Sequence, residues 1–362
     1  MRRLSRPLPF LALTLMVALA GSIACCFLPH DRYILFQTVA AESDYSFPLK
    51  WIYERIYDDP TAIDIAFVGT SHTQSGVNSA VVESTLRAHG DPAHVVNFAL
   101  PFLGRDLEYL IVKELLTTRT IRQLVIELQE SEPIYPHPAF QRLADPADIL
   151  SAPMLLNTGY LLNLVTLPQR QVSLFARSCF PSLFGLHPAF APADYAGPHW
   201  DDTYAMHTRQ GFDNPRTAVH PPAFFDPYVL NLRRAAAENQ ALARWLEFLP
   251  FRHNLLYRYN WHYLEAMIAL AQQHKVGIVF LYLPSFNGPD SPDDVAAFSR
   301  LAPVLVPRQA LENAALWQNV GHFNAAGAEE LSRWLGTMLS QAPGHPLPTE
   351  APPIRIPSAI AR

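Results

Sequence analysis

Two kinds of apolar pattern alternate along the chain. Continuous apolar runs at 63–68, 94–99, 123–128 and 276–283, with a shorter one at 304–306, predict strands. A half-solvated strand alternates apolar and polar residues, so unbroken runs imply strands covered on both faces. Between the second and third runs, Leu107, Leu110, Ile111 and Leu115 share one helical face. Leu264, Met267, Ile268 and Ala271 do the same before the fourth run, and Leu331, Leu335 and Met338 form a stripe near the end. Asn324 stands just ahead of that last stripe, where its short side chain suits an N-cap. Strand, helix, strand, helix in this order predicts an α/β domain with a parallel sheet.

The rhythm stops between 133 and 255. This part is rich in proline, aromatics and histidine and shows no strand pattern. Its most apolar portion, ILSAPMLLNTGYLLNLVTL, is interrupted by Pro153, Asn157, Gly159 and Asn163, which predicts short helices packed as a cap. The segment is too long for a loop and reads as an insertion that splits the α/β domain into 61–132 and 256–341. Residues 342–362 hold six prolines and are expected to be a disordered tail.

At the other end, Arg2, Arg3 and Arg6 precede an uncharged apolar stretch, 7–28, close to the ~20 residues that cross a bilayer. Arginines before the stretch and few basic residues after it place the N-terminus in the cytoplasm. The expectation is a single-pass anchor in the cytoplasmic membrane over 1–30, a linker over 31–60, and a globular part outside the cytoplasm. A cleaved signal peptide at Ala18–Ala20 and a lipoprotein site at Ser22-Ile23-Ala24-Cys25 remain alternatives, and both also export the domain.

Composition adds exclusions. Hydrophobic residues make up 49% and charged residues 16%, enough for a large core. A net charge of −5 without a basic cluster argues against nucleic acid as a partner. Cys25 and Cys26 fall in the apolar stretch, so the lone Cys179 gives the exported part no disulfide framework and is expected to be a small buried residue. His199 and His207, around Trp200-Asp201-Asp202, lack zinc-ligand spacing, so no metal or other cofactor is expected.

Chemistry in open parallel sheets gathers beyond the carboxyl ends of the strands. Ser71 follows the first run in Gly69-Thr70-Ser71-His72, and Gly104 closes the loop after the second. Gln129-Glu130-Ser131-Glu132 follows the third, and His322 lies in Asn319-Val320-Gly321-His322-Phe323-Asn324-Ala325-Ala326-Gly327. A nucleophile, a base and fixed donors for an oxyanion are the set that acyl transfer needs. Ser71 and Thr73 also suit the plainer role of helix caps.

These motifs resemble the SGNH (GDSL-like) hydrolase superfamily, in its branch of membrane-anchored periplasmic proteins that modify polysaccharides. Gly69-Thr70-Ser71 resembles the Gly-Asp-Ser motif, with threonine for aspartate. Asn319-Val320-Gly321-His322 resembles Asp-x-x-His, with asparagine for aspartate. The resemblance implies a flavodoxin-like α/β/α fold with Ser71 as nucleophile, His322 as base and Asn319 in the orienting place. It further implies oxyanion donors from Ser71, Gly104 and, in place of the family's asparagine, Ser131. His72 is expected to point away from the nucleophile and to meet substrate or solvent. Asp64 and Glu127 sit inside strand runs and receive no chemical role. Trp200, Tyr204 and Trp261 are candidates for stacking on sugar rings, with core or cap packing as the alternative.

The implied function is a tethered serine esterase or O-acyltransferase acting on an acylated polysaccharide or a small acyl donor, with a membrane-bound acyltransferase as a candidate partner. The alternative is a non-catalytic module that binds glycan or scaffolds a modification and export complex. An amide at 319 accepts a hydrogen bond but brings no charge. In the Ser-His-Asp triad of serine proteases that change selects the wrong histidine tautomer and costs about 10⁴ in rate.

Overall fold

A computed structural model describes residues 7–43, 46–155, 157–191, 217–249 and 254–341. Four of the predicted strand runs form β1 (Ile65–Val68), β2 (Val95–Asn97), β3 (Gln123–Leu128) and β4 (Gly277–Tyr282), and the weaker fifth forms β5 (Val304–Leu305). They make one parallel sheet in the order β2-β1-β3-β4-β5. This is the doubly wound order of flavodoxin-like sheets, in which the strand order reverses beside β1.

Alternate residues of the strands feed two separate cores, which is why the runs are mostly apolar and do not alternate with polar residues. On one face Ala66, Val68, Leu124, Ile126, Ile278 and Phe280 pack against Leu107, Leu110 and Ile111 of α6 (Arg105–Thr118). Leu264, Met267 and Ile268 from the helix Arg258–Gln273 complete that layer. On the other face Ile65, Phe67, Val95, Val125 and Leu281 meet Val82 and Leu86 of α5 (Ser79–Ala88). The C-terminal helix Ala325–Gln341 adds Leu331, Leu335 and Leu339 to this second core. Its stripe runs through Leu339 where the sequence suggested Met338, and Asn324 accepts the amide of Gly327 (3.0 Å) as its cap. Each fully buried Leu, Ile or Phe here is worth about 1.5–3 kcal/mol of transfer free energy.

Three expectations need correction. Residues 31–60 are not a linker: α2 (Arg32–Ala40) and α3 (Leu49–Tyr57) bury Leu35, Phe36, Trp51, Ile52 and Ile56 in the first core. Arg55, itself buried, donates to the carbonyls of Thr61 (2.9 Å) and Ala62 (2.8 Å) and aims the chain into β1. The predicted membrane span is not supported, since among the described residues no helix is long and apolar enough to cross a membrane. What is described there is α1 (Pro7–Cys25), an uncharged helix whose exposed side chains include Phe10, Leu13, Val17 and Ile23. Cys179, thirdly, is exposed at the end of its helix and not buried.

Within 133–255 the described residues include helices, but the interrupted pattern suggested short ones and two are long, at 20 and 21 residues, the first running through Asn163. The helices are α7 (Phe140–Leu143), α8 (Pro146–Ser151), α9 (Tyr160–Cys179) and α10 (Asp226–Leu246), which makes the helix Arg258–Gln273 α11. Beyond β4 come α12 (Val295–Leu301) and α13 (Arg308–Glu312), so the C-terminal helix is α14. His199, Trp200, Tyr204, His207 and the tail 342–362 lie outside the described residues. Trp261 is no sugar platform: it is buried and stacks on Phe298 with ring centroids 5.0 Å apart.

Candidate active site

β1 ends at Val68, and Gly69-Thr70 turns the chain at once into α4 (Ser71–Gly76). Thr70 is the N-cap, its hydroxyl accepting from the His72 amide at 3.2 Å. The capping role considered for Ser71 therefore belongs to its neighbour, and the Ser71 hydroxyl is left to other work. It meets His322 Nε2 at 2.8 Å.

His322 arrives on a small hairpin of β6 (Trp317–Asn319) and β7 (His322–Phe323). Trp317 and Phe323 stack at 4.2 Å, both buried, and Phe323 packs close to Gly76 of α4. The tip is tied to the β4 loop by the Phe286 amide, which donates to the Val320 carbonyl at 2.7 Å. Apolar packing on one side and that bond on the other fix where the histidine sits relative to Ser71.

Asn319 completes the chain of contacts. Its Oδ1 lies 2.9 Å from His322 Nδ1 and also accepts the Gly321 amide at 2.9 Å. The Gly321 N–H can only donate, so the amide must present its oxygen to the turn and hence to the ring. An oxygen facing Nδ1 requires a proton on Nδ1, which leaves Nε2 free to accept from Ser71. The wrong tautomer that an asparagine can select is excluded here by one backbone hydrogen bond.

Beneath the nucleophile lies a group that the sequence did not mark as chemical. Glu127, on β3, is 2% exposed. Its Oε2 accepts the amides of Thr70 and Thr73, each at 2.9 Å. Its Oε1 accepts the Thr70 hydroxyl (2.7 Å) and Gln129 Nε2 (2.8 Å). Gln129 donates to the Thr70 hydroxyl as well, at 2.9 Å. At the far end of α4, Asn97 Nδ2 donates to the carbonyls of Thr73 (3.2 Å) and Val77 (2.8 Å). The short helix carrying Ser71 is thus clamped by side chains from both neighbouring strands. The available signal in the sequence was an acidic residue inside an otherwise apolar strand run, since a buried carboxylate needs partners.

The carboxylate comes this close because residue 69 is glycine. A Cβ there would lie 2.5 Å from Glu127 Oε2 and 2.8 Å from the Thr73 hydroxyl. Gly69→Ala is expected to cost about 1–3 kcal/mol, in the range of an overpacked core, as measured by denaturant unfolding.

His72 does not point away. Its Nδ1–H donates to the Leu283 carbonyl at the end of β4 (2.9 Å), and its ring stands edge-on to His322 with centroids 5.8 Å apart. Its Nε2 faces Gly321, where a Cβ would come within 3.0 Å. The hydrogen bond to β4, absent from any local pattern, overrides the expected exposure.

Gly104 is buried as the N-cap of α6, and an added Cβ would lie 2.4 Å from the His137 Cβ. Gly69 and Gly104 border one small cavity with Leu100, Phe102, Leu107 and His137, so the two loops meet beside the nucleophile turn. The loop is strained: Phe102 has φ of 81°, a region bulky side chains avoid at a cost of about 1–3 kcal/mol. His137 holds it, donating from Nε2 to the Pro101 carbonyl (3.0 Å) while its Nδ1 accepts the Ala139 amide (3.0 Å). Burial pushes His137 down to about 4, so this histidine is a neutral brace and not a base.

Ser131 is half-buried in the loop after β3. Its neighbour Glu132 forms a bidentate pair with buried Arg105 (2.7 and 2.8 Å), and Arg105 also binds Glu108 (2.8 Å). Arg105 directly follows Gly104, so this ion-pair cluster ties the two candidate oxyanion loops together. Among the described residues no group of three or more His, Cys, Asp or Glu is arranged to hold a metal ion. The chain matches no model of a known protein family and no curated protein.

Proposed function

We propose that the protein is a serine esterase or O-acyltransferase of the SGNH type. The observation that carries this reading is the unbroken path Ser71 Oγ–His322 Nε2, His322 Nδ1–Asn319 Oδ1, at 2.8 and 2.9 Å. His322 takes the Ser71 proton as the hydroxyl adds to an ester carbonyl, giving a tetrahedral oxyanion. The backbone N–H groups of Ser71 and Gly104, with the Ser131 hydroxyl, are the donors we assign to that oxyanion. Collapse expels the alcohol, which leaves with the proton from His322, and forms an acyl-serine. Water or a sugar hydroxyl then takes the acyl group by the reverse steps, its proton passing to His322.

The motif resemblance supports an acyl ester of a cell-envelope or secreted polysaccharide as substrate, and a membrane-bound acyltransferase as a source of acyl groups. The apolar, uncharged α1 and the arginines before it support attachment to the cytoplasmic membrane with the α/β domain on its outer side. A glycan-binding scaffold is the second reading. It is favoured by the absence, among the described residues, of a partner that orders the Ser131 hydroxyl.

Labelling with a fluorophosphonate decides between them: stoichiometric modification at Ser71 supports the enzyme, and a folded protein that stays unlabelled supports the scaffold. Asn319→Asp tests the orienting position. The new carboxylate keeps the Gly321 and His322 hydrogen bonds and adds charge beside the imidazolium that forms during attack. Hydrolysis of a small activated ester is expected to rise about tenfold to a hundredfold, the equivalent of one to two pKa units of imidazolium stabilisation. A favoured imidazolium gives up its proton at higher pH, so the acid limb of the pH–rate profile should move upward in the variant.

A further inference from the structure

We propose that the outward face of α9 lies in the boundary between headgroups and acyl chains of a lipid bilayer, as a second membrane contact beside α1. The inference rests on the membrane attachment proposed above.

α9 carries apolar side chains on its outward face as well as on its inward face, where Tyr160, Leu167 and Leu174 are buried. Its buried positions include the amides Asn163 and Gln171, whereas Leu161, Leu162, Val165, Val172 and Phe175 are exposed. The apolar surface continues past the helix end to Leu183, which is 81% exposed. A solvated face of this length would carry charge, yet residues 149–193 contain no Asp, Glu or Lys. The two arginines present are engaged: Arg170 turns inward to the Ala144 carbonyl (2.7 Å), and Arg177 lies over the Phe184 ring at 5.0 Å. Contiguous apolar surface on this scale marks an interaction site and not chance exposure.

Lipid is the occupant because of what α9 touches. α1 packs against α9, and just beyond α1 the Asp31 amide donates to the Ser178 hydroxyl (2.8 Å). A bilayer that receives the apolar α1 therefore begins where α9 lies. α9 is not itself apolar enough to cross, with amides and arginines along its length. An amphipathic helix that cannot span lies in the interface with its apolar side about 5–10 Å deep.

The test uses the full chain in vesicles of phosphatidylcholine and phosphatidylglycerol, with Cys25, Cys26 and Cys179 replaced by alanine. One cysteine is introduced at a time and labelled with an environment-sensitive dye: Val165→Cys on α9, Val17→Cys on α1, or the exposed Glu238→Cys on α10. Dyes at 17 and 165 are expected to shift to the blue and lose emission to doxyl-labelled lipid, while the dye at 238 does neither. Quenching at 17 without quenching at 165 overturns the inference and leaves membrane attachment standing. A blue-shifted dye at 165 that lipid cannot quench means a protein surface covers α9, which also overturns it. Quenching at 165 alone supports the α9 contact and removes attachment through α1. Quenching at neither position ends both readings.

Discussion

Ser71→Ala is expected to lower esterase turnover by about 10⁴-fold or more and to remove fluorophosphonate labelling entirely. The reason is that its hydroxyl holds the hydrogen bond to His322 Nε2, the proposed base. The Ser71 hydroxyl is the one that meets His322 Nε2, while its neighbours Thr70 and Ser75 are spent on Glu127 and the His72 carbonyl. Members of a nucleophile–base pair act as a unit, so losing either removes nearly the whole contribution of the set. The protein should stay folded, because Ser71 is only half-buried and the cap of α4 is Thr70. The check is a comparison of labelling, ester hydrolysis and thermal unfolding on the same preparation. Wild-type turnover in the alanine variant, with unfolding unchanged, would remove Ser71 from the mechanism.

Glu127→Leu should have the largest effect on stability among changes near the site. The carboxylate accepts two backbone amides that have no other partner in the first turn of α4, from Thr70 and Thr73. Leaving two buried N–H groups unpaired costs about 1–3 kcal/mol each, so a loss of roughly 2–6 kcal/mol is expected. Measured stabilities of single domains are about 5–15 kcal/mol, so unfolding should shift visibly in a denaturant titration. Glu127→Gln separates clamping from charge. Its amide oxygen can still serve the two amides, while Gln129 must turn its own oxygen inward to meet the new NH₂. Partial recovery of both stability and Ser71 labelling in the glutamine variant would identify Glu127 as a positioning residue. Equal loss of labelling in both variants, with stability recovered only in the glutamine one, would instead give the charge itself a part in the chemistry.

The doubly covered strands and the helices between them were legible from periodicity. Each depends on contacts between near neighbours in sequence and on which faces water must not reach. The stripe of Leu107, Leu110 and Ile111 could belong to nothing but a helix packed on a sheet, and it does. Position at a strand end also marked Ser71, because a parallel sheet sends every β–α loop to the same rim, whereas His322 was marked by its motif and arrives on the separate β6–β7 hairpin.

Other features depended on partners distant in the chain. Residues 31–60 looked like a spacer because α2 and α3 are short, and their buried faces are matched by each other and by the distant helices α6, α7 and α9. His72 read as exposed until the Leu283 carbonyl, 211 positions away, held its ring beside the hairpin. Glu127 looked like a stray charge in a strand, yet its four hydrogen bonds come from the turn that follows β1 and from Gln129. Asn319 shows the division most sharply. Sequence alone determined that an amide stands beside the histidine, with hydrogen-bonding capacity and no charge. Which end of that amide faces the ring was decided by the folded hairpin, where the Gly321 N–H can be satisfied only by oxygen. Residue type sets what a group can donate or accept, and the tertiary structure sets which of those options is taken, because the partner that enforces the choice is placed only by folding.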